Sequence, residues 1–402
     1  MKFLNIELNI NNKIIKYILN CNTPAFTINN TIFDDLYVYL SSRFILDKVV
    51  KSITIRHLKE DVEEHINLLG YKESIEWVEL TQSERKIYES KLNKDRILLQ
   101  QICCHPLITQ SLKKIVGSNY ETASLEDIED KLISHHTTII NKYKLKLESL
   151  DPSNQAYSML TKKYTLLINE SKFVLNTLEK INEKDITEEN CVICYDIMKD
   201  PTMTECGHIY CHICINMCIN AKPECPMCKH MIDVKKLIKI KSKKQIDTEI
   251  NPLVAKYGAK LGKMIQMVRQ LLIQDARIII FSQWDDLLLL IRKSLMENEI
   301  DCSFISGNVY KRNKAISRFK LGGKDNGVIL LSLEHSASGT NLTEASHIFF
   351  IEPIDDIKEK INKIESQAIS RAVRLGQKQV VEVIRILCKD TIEEEIYKDK
   401  YI

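Results

Sequence analysis

The sequence predicts a mixed fold in three parts: an α/β domain on a parallel sheet, a helical hairpin, and a small module stapled by metal ions. Three observations carry this. From Tyr257 onward, apolar runs alternate with amphipathic stretches at the spacing of strand–helix units. Between residues 121 and 186, apolar residues recur at three-four spacing on either side of Asp151-Pro-Ser-Asn154. Between Cys191 and Cys228, seven cysteines and one histidine fall in four close pairs.

The α/β part is assigned to 257–402. Strands are expected at Arg277–Ser282, Gly327–Ser332, Ser346–Ile351 and Val380–Leu387, and helices at 259–274, 285–298, 311–320, 365–375 and 391–399. Near the other end, Val78 and Leu80 alternate with Trp77 and Glu79, which predicts a strand over 76–81. Thr81 followed by Glu84 is a capping-box pattern that opens the next helix. Residues 1–55 carry no sharp motif.

In the hairpin (121–186), Leu125, Ile128, Leu132, Ile139, Tyr143 and Leu150 form one stripe. Tyr157, Leu160, Tyr164, Leu167, Val174, Leu178 and Ile181 form the returning one. Arms of roughly 26–28 residues are each ~40 Å long at ~1.5 Å per residue. Two readings stand: an arm that places a partner, or a spacer that packs only on itself.

The ligand pairs read Cys191-x2-Cys194, Cys206-x-His208, Cys211-x2-Cys214 and Cys225-x2-Cys228. A Cys-x2-Cys loop puts two sulfurs on one tetrahedral ion, so four pairs make two closed four-coordinate sites with no open position for catalysis. His212, Cys218 and His230 are spare. Of the 13 cysteines, the six outside the pattern (Cys21, Cys103, Cys104, Cys218, Cys302 and Cys388) show no paired disulfide framework. A reducing compartment is expected. The module is assigned to 187–234. A link at 235–256 follows, with Lys235, Lys236, Lys239, Lys241, Lys243 and Lys244. It reads as a solvated linker first and a phosphate-binding strip second.

At 402 residues, 44% hydrophobic and 28% charged, the chain is long enough for two or three domains with sizeable cores. The formal net charge of +3 leaves any polyanion site to a local patch. The N-terminus lacks a signal-peptide shape, and no apolar run approaches the ~18 residues of a membrane span. A soluble intracellular protein, without a membrane partner, is expected. Heavy use of Ile, Lys and Asn hints at an AT-rich genome, such as that of a large DNA virus or a protist.

The eight-ligand pattern resembles a RING finger. The resemblance implies a cross-brace, with one zinc on Cys191, Cys194, Cys211 and Cys214 and another on Cys206, His208, Cys225 and Cys228. RING fingers mostly act as ubiquitin ligases that orient a ubiquitin-conjugating enzyme's thioester. Ile193 matches the apolar contact to that enzyme, and Pro226 lies on the second contact loop. Lys229 stands at the basic "linchpin" position. The family prefers Arg there, and Lys lacks its planar fork, so weakened activity is expected.

Residues 257–402 resemble the second, RecA-like lobe of Swi/Snf-family DNA translocases. The match runs through Phe281-Ser-Gln-Trp284, Ser306-Gly307 with Arg312–Phe319, Leu331-Ser332 with Ser338-Gly339-Thr-Asn-Leu-Thr343, and Gln367–Gln377. The resemblance implies nucleotide-facing roles for Gly339 and Gln367. It makes Arg371 and Arg374 arginine fingers, which at a spacing of three share a face if the segment is helical. Ile55–Val62 and Gln101–Pro106 resemble the end of lobe one and the block that bridges the lobes, so 1–120 is expected to be a lobe-one remnant. A RING inserted before lobe two is similar to the RING-bearing subgroup linked to DNA-damage tolerance, whose members include linker-histone/PHD/RING helicase-like proteins.

This chain departs from the family in several places. No Gly-x4-Gly-Lys-Ser/Thr and no Asp-Glu-x-His occurs in it, so the phosphate cradle and the magnesium-holding carboxylates are missing from these residues. The fifth motif has one glycine fewer, and the family's Asp-Pro is here Glu352-Pro353. The leading expectation is a RING-type ubiquitin ligase on a Swi/Snf-type helicase C-terminal lobe, acting on DNA-associated processes. Its cofactors are two structural zinc ions, with ATP and Mg only if another polypeptide supplies lobe one. A translocase half completed in trans, and a non-catalytic zinc-binding adaptor, are the alternatives. Expected partners are a ubiquitin-conjugating enzyme, a lobe-one chain and DNA, in the nucleus or at a viral replication site.

Overall fold

The computed structural model describes residues 69–92, 94–117, 123–152, 156–180, 190–234, 237–240, 251–305, 309–322, 326–333 and 340–402. The sequence motifs at 55–62, 306–307 and 338–339, and most of the lysine-rich link, lie outside them.

The largest body among the described residues is a six-stranded, all-parallel sheet. In chain order its strands are β1 (Tyr71–Val78), β5 (Ile278–Ser282), β6 (Cys302–Phe304), β7 (Val328–Ser332), β8 (His347–Phe350) and β9 (Val381–Cys388). Across the sheet they run β1-β9-β8-β5-β7-β6. β5 is Ile-Ile-Ile-Phe-Ser and buried throughout, because both faces of a parallel sheet are covered. Its alternate residues serve different cores: Ile278 and Ile280 join one, Ile279 and Phe281 the other.

The first core also takes side chains from α1 (Gln82–Glu89), α2 (Arg96–Cys104), α3 (Gln110–Val116), α8 (Ala259–Ile273), α9 (Asp285–Glu297) and α12 (Ile392–Lys400). The second takes them from α10 (Val309–Leu321) and α11 (Lys358–Ile369). The RecA-like parallel α/β lobe expected from the sequence is therefore present.

Several expectations shift. The strand placed at 76–81 is Tyr71–Val78, and it pairs along its whole length with β9. The helix placed at 365–375 starts at Lys358 and ends at Ile369. β6, of three residues, and α7 (Pro252–Tyr257), of six, are too short for a periodicity to reveal. Within the lysine-rich link, β4 (Ile238–Lys239) pairs with β2 (Pro201–Met203), so this part is sheet rather than linker.

The capping box is present, and its glutamate has a second task. Glu84 accepts hydrogen bonds from Thr81 N (2.9 Å) and Thr81 Oγ1 (2.8 Å), closing the start of α1. The same carboxylate accepts from Ala259 N, at 3.1 and 3.2 Å, and so caps α8 as well. Gly258 makes this possible. Its φ is +84°, and a Cβ there would sit 2.2 Å from Glu84 Oε1.

α4 (Leu125–Glu148) and α5 (Tyr157–Lys180) form the hairpin, each arm 24 residues long. Ser124 and Asp127 cap α4 reciprocally. Leu125, Ile128, Leu132, Val174 and Leu178 are buried near the base, as the stripes predict. Farther out the burial thins: Ile140 and Ile168 are buried, Tyr143 and Tyr164 half-buried, and Tyr157 exposed. Ile181 lies outside the described residues. Tyr143 meets Tyr164 with ring centroids 5.3 Å apart, and His136 Nδ1 lies 3.3 Å from Ser171 Oγ, which fixes the register of the arms.

Candidate metal centres and the strand ends of the helicase lobe

The cysteine-rich module is a three-stranded antiparallel sheet, β3-β2-β4, with one helix, α6 (His212–Ala221). β3 is Ile209–Cys211. Among the described residues, the buried side chains of its core besides ligand cysteines are Met198, Tyr210, Ile215, Ile219 and Ile232, with Ile193, Ile209, Leu237 and Ile240 half-buried against them. So small a core needs a staple.

Two knuckles of matching geometry present the ligands. Tyr195 N donates to Cys191 O at 2.7 Å and Lys229 N to Cys225 O at 2.9 Å. Cys191 N donates to Asp196 O and Cys225 N to His230 O, each at 2.8 Å. Tyr195 and Lys229 share the left-handed conformation, with φ of +59°. No glycine marks these turns, so the sequence conceals their left-handed residues. At Cys206-Gly-His208 the turn does need glycine: Gly207 has φ +81°, and a Cβ there would lie 2.7 Å from Asn176 Nδ2 on α5.

The ligand atoms gather in two groups, Cys191, Cys194, Cys211 and Cys214, and Cys206, His208, Cys225 and Cys228. Within each group they lie within 4.8 Å of one another. This is the cross-brace pairing that the resemblance implies. The spacing suits zinc. A tetrahedron with Zn–S bonds of ~2.3 Å has edges of about 3.8 Å, and Cys194 Sγ is 3.8 Å from Cys211 Sγ. His208 turns Nδ1 inward, 3.3 Å from Cys206 Sγ and 3.4 Å from Cys225 Sγ.

Neighbouring groups orient the sulfurs. Cys211 N donates to Cys191 Sγ (3.4 Å), Lys199 N to Cys211 Sγ (3.3 Å), and Tyr210 Oη lies 3.0 Å from Cys225 Sγ. Burial, with the neighbouring Cys225 and Cys228 thiols, pushes Cys206 up to about 12. Burial, with Cys194 and Cys191, does the same to Cys214. Thiols crowded in this way ionise together only around a cation, so metal uptake releases protons. Two structural zinc ions fit these residues. His212 stays outside both groups, with Nδ1 3.2 Å from Thr202 Oγ1 and Nε2 3.1 Å from Asn216 Nδ2.

Ile193, half-buried, stands in the first knuckle, and Pro226, half-buried, in the second. Lys229 is exposed and donates Nζ to Pro226 O at 3.3 Å, so the second-knuckle candidates are brought together.

In the α/β lobe the expected arginine pair does not share a helix face. α11 ends at Ile369, and Arg371 and Arg374 lie in the turns beyond it. Arg371 is buried and donates from Nη1 to Thr340 Oγ1 at 2.7 Å, while Arg374 is exposed. The backbone there passes into turns, with Arg371 N donating to Ala368 O at 3.3 Å and Ala372 N to Ile369 O at 3.0 Å. Gln367 is exposed on α11, and Gly339 lies outside the described residues.

Three motif residues share an unexpected property, two of them, Ser332 and Glu352, at the carboxyl ends of strands, where open α/β sheets bind ligands. Ser332 Oγ, Glu352 Oε2 and Arg371 Nε are buried with no hydrogen-bond partner among the described residues. Glu352 accepts from Gln283 N. Burial pushes its carboxyl up to about 7, against the lowering effect of that hydrogen bond and of Lys260. The folded form therefore holds a proton that the unfolded chain releases near pH 4.5. The stabilisation is complete below that pH and is lost as pH rises to about 7. Glu352→Gln is expected to match the wild type at pH 5 and to exceed it at pH 8 by on the order of 2–3 kcal/mol. Urea denaturation at the two pH values checks this; an equal difference at both would refute the proton's role.

Residues 190–228 match the C3HC4-type zinc finger (RING finger) family, and residues 260–376 match the helicase conserved C-terminal domain family. The class is thus a RING finger joined to a helicase C-terminal lobe. Similar proteins include the helicase-like transcription factor of Mus musculus, 24% identical over 88% of this chain and 34% of its own length. DNA repair protein RAD5A of Arabidopsis thaliana is also 24% identical, over the same shares of each chain. The E3 ubiquitin-protein ligase SHPRH of Homo sapiens is 29% identical over 66% of this chain and 16% of its own length. The chain thus spans about a third or less of these relatives. It is similar to these relatives in carrying both a RING finger and a helicase C-terminal domain.

Proposed function

We propose that this chain is a RING-type ubiquitin ligase module carried on a Swi/Snf-type helicase C-terminal lobe, and that it works on proteins at DNA. One observation carries the reading most: two complete four-ligand clusters hold the knuckles that present Ile193, and Pro226 with Lys229. Likeness to human E3 ubiquitin-protein ligase SHPRH and to a plant DNA repair protein supports it.

Zinc, when bound, supplies structure alone, since all four positions of each site are filled by protein. The chain's own residues do the rest. Ile193 and Pro226 offer apolar contact to a ubiquitin-conjugating enzyme. Lys229 directs a positive donor toward the enzyme–ubiquitin junction, restricting the thioester to geometries open to attack by a substrate lysine. Its side chain already leans over its own knuckle onto Pro226 O, so the donor starts near the contact loop.

In a discharge assay with a panel of ubiquitin-conjugating enzymes, Ile193→Ala is expected to reduce turnover at least about ten-fold, as loss of a central apolar anchor does. Lys229→Ala should reduce turnover while leaving enzyme binding nearly intact, and Lys229→Arg should match or exceed the wild type. Absence of ubiquitin transfer with every conjugating enzyme, from protein carrying two zinc ions, would sink the reading in favour of an adaptor.

A further inference from the structure

We infer that the distal half of the α4–α5 hairpin is a binding surface for the phosphate backbone of duplex nucleic acid, separate from both the zinc module and the helicase lobe. The inference stands whether or not the module is a ligase.

The charge distribution is the first ground. Residues 141–167 carry Lys142, Lys144, Lys146, Lys162 and Lys163 against only Glu148 and Asp151, which is +3. That equals the formal net charge of the entire chain, so the remainder sums to zero. The base of the first arm is opposite in sign: Glu126, Asp127, Glu129 and Asp130 outnumber Lys131. An ordinary solvated helix mixes the signs and closes pairs at i,i+4. Here they are sorted along the hairpin. Among the described residues none of the five lysines makes an ion pair, although the same helix commits Glu129 to one with Lys86. The arm measures ~36 Å at ~1.5 Å per residue. Its tip is therefore several Debye lengths, of about 8 Å each, from the acidic base, and a polyanion there meets the positive charge alone.

The second ground is how the lysines are held. Lys142 and Lys146 place Nζ 5.8 and 5.7 Å from the centre of the Tyr143 ring, and Lys146 lies 5.9 Å from that of Tyr164. The two rings abut across the arms. Cation–π contact orders the lysine stems while the ammonium groups stay in water, which lowers the entropy lost when they meet phosphates. The register set by the tyrosine pair puts Lys144 and Lys163 at one level on opposite arms, so positive charge borders the hairpin on both sides.

Exposed Leu145, Met159 and Leu166 occupy the same region. The five exposed lysines share this segment, so an apolar protein groove closing over it would have to desolvate ammonium groups. A duplex, with one negative charge per ~1.7 Å, makes no such demand. Geometry adds a consequence. The zinc module touches the hairpin near its base, where Gly207 abuts Asn176 and Met203 and Ile238 pack with Phe173. Asn176 is about 30 Å along α5 from the tip at ~1.5 Å per residue. A duplex on the tip would be held at that distance from the zinc module.

The test uses the full chain and a fluorescein-labelled random-sequence duplex of about 30 base pairs, with anisotropy read from ~50 to ~200 mM salt. The variant replaces all five lysines with glutamine; they are surface positions, and circular dichroism confirms the fold. The expected result is a loss of at least ~10-fold in affinity at ~100 mM salt, with a log–log salt slope shallower by about 3–4, at roughly 0.9 for each phosphate no longer neutralised. Lys131→Gln/Lys172→Gln, nearer the base, should match the wild type. Unchanged affinity and slope in the five-lysine variant would overturn the inference. So would binding abolished by Leu145→Ser/Met159→Ser/Leu166→Ser but kept by the glutamine variant, which would point to an apolar partner surface.

Discussion

Cys211→Ser is expected to unfold the zinc module and leave the helicase lobe standing. Cys211 is a ligand of the first group, a buried part of the small core and the last residue of β3. The five other core side chains contribute on the order of 10 kcal/mol at ~2 kcal/mol each. A structural zinc contributes a similar amount, about 10–16 kcal/mol in zinc-finger peptides. Losing one of the two ions therefore removes about a third of what holds some forty residues together. The cross-brace spreads the damage. The second group takes Cys206 and His208 from before Cys211, and Cys225 and Cys228 from after it, so each loop between ligands serves both ions. Bound zinc is expected to fall from two per chain to one or none, with ubiquitin transfer lost. The cores of the helicase lobe share no residue with the module's core, so the lobe's denaturation midpoint should hardly move. A variant that keeps two zinc ions and full transfer would contradict the assignment. Chelation should reproduce the mutant, and zinc should reverse the chelation.

Glu393→Ala is expected to be the most damaging single change in the helicase lobe. Lys260 on α8 and Glu393 on α12 are both fully buried. Lys260 Nζ donates to Glu393 Oε2 (2.6 Å) and to Ile351 O (2.9 Å). Glu393 also accepts from Cys388 N at 2.9 Å. Removing the carboxylate strands an ammonium in the core, which costs about 3–5 kcal/mol. Lys260→Met/Glu393→Leu, which removes both charges, should recover most of that loss, because a buried pair offsets little more than its own desolvation. The two tryptophans of the chain, Trp77 and Trp284, both belong to this lobe, so intrinsic fluorescence during urea denaturation reports it selectively. A loss below ~1 kcal/mol for Glu393→Ala, or a double variant worse than the single one, would refute the balance described.

How much is legible in the sequence follows from how local each signal is. β5 and β7 announce themselves because burial on both faces demands unbroken apolar runs. The ligand pairs are legible because metal chemistry fixes both residue type and spacing. The Thr81–Glu84 box is legible for the same reason, but the second use of Glu84, 175 residues away at Ala259, is not. The apolar rhythm runs on past Ile369 and so misplaces Arg371 and Arg374 onto a helix. Beyond the helix the chain turns, with Arg371 hydrogen-bonded to Thr340, a contact from 31 residues away that no periodicity encodes. Tyr195 and Lys229 adopt a backbone that glycine normally advertises, so the left-handed residue that closes each knuckle is invisible in the letters.

The shared carboxylate of Glu84 and the pairing of β1 with β9 also bear on how the lobe can be cut out. A fragment beginning after the zinc module would look complete by motif. It would nonetheless leave β9 as an open edge of unpaired amides and carbonyls, a template for intermolecular strand addition and aggregation. It would also leave the first amides of α8 without their acceptor. The smallest soluble piece therefore includes the stretch that precedes the hairpin, and the hairpin with its zinc module is an excursion from a lobe that begins before it and closes after it.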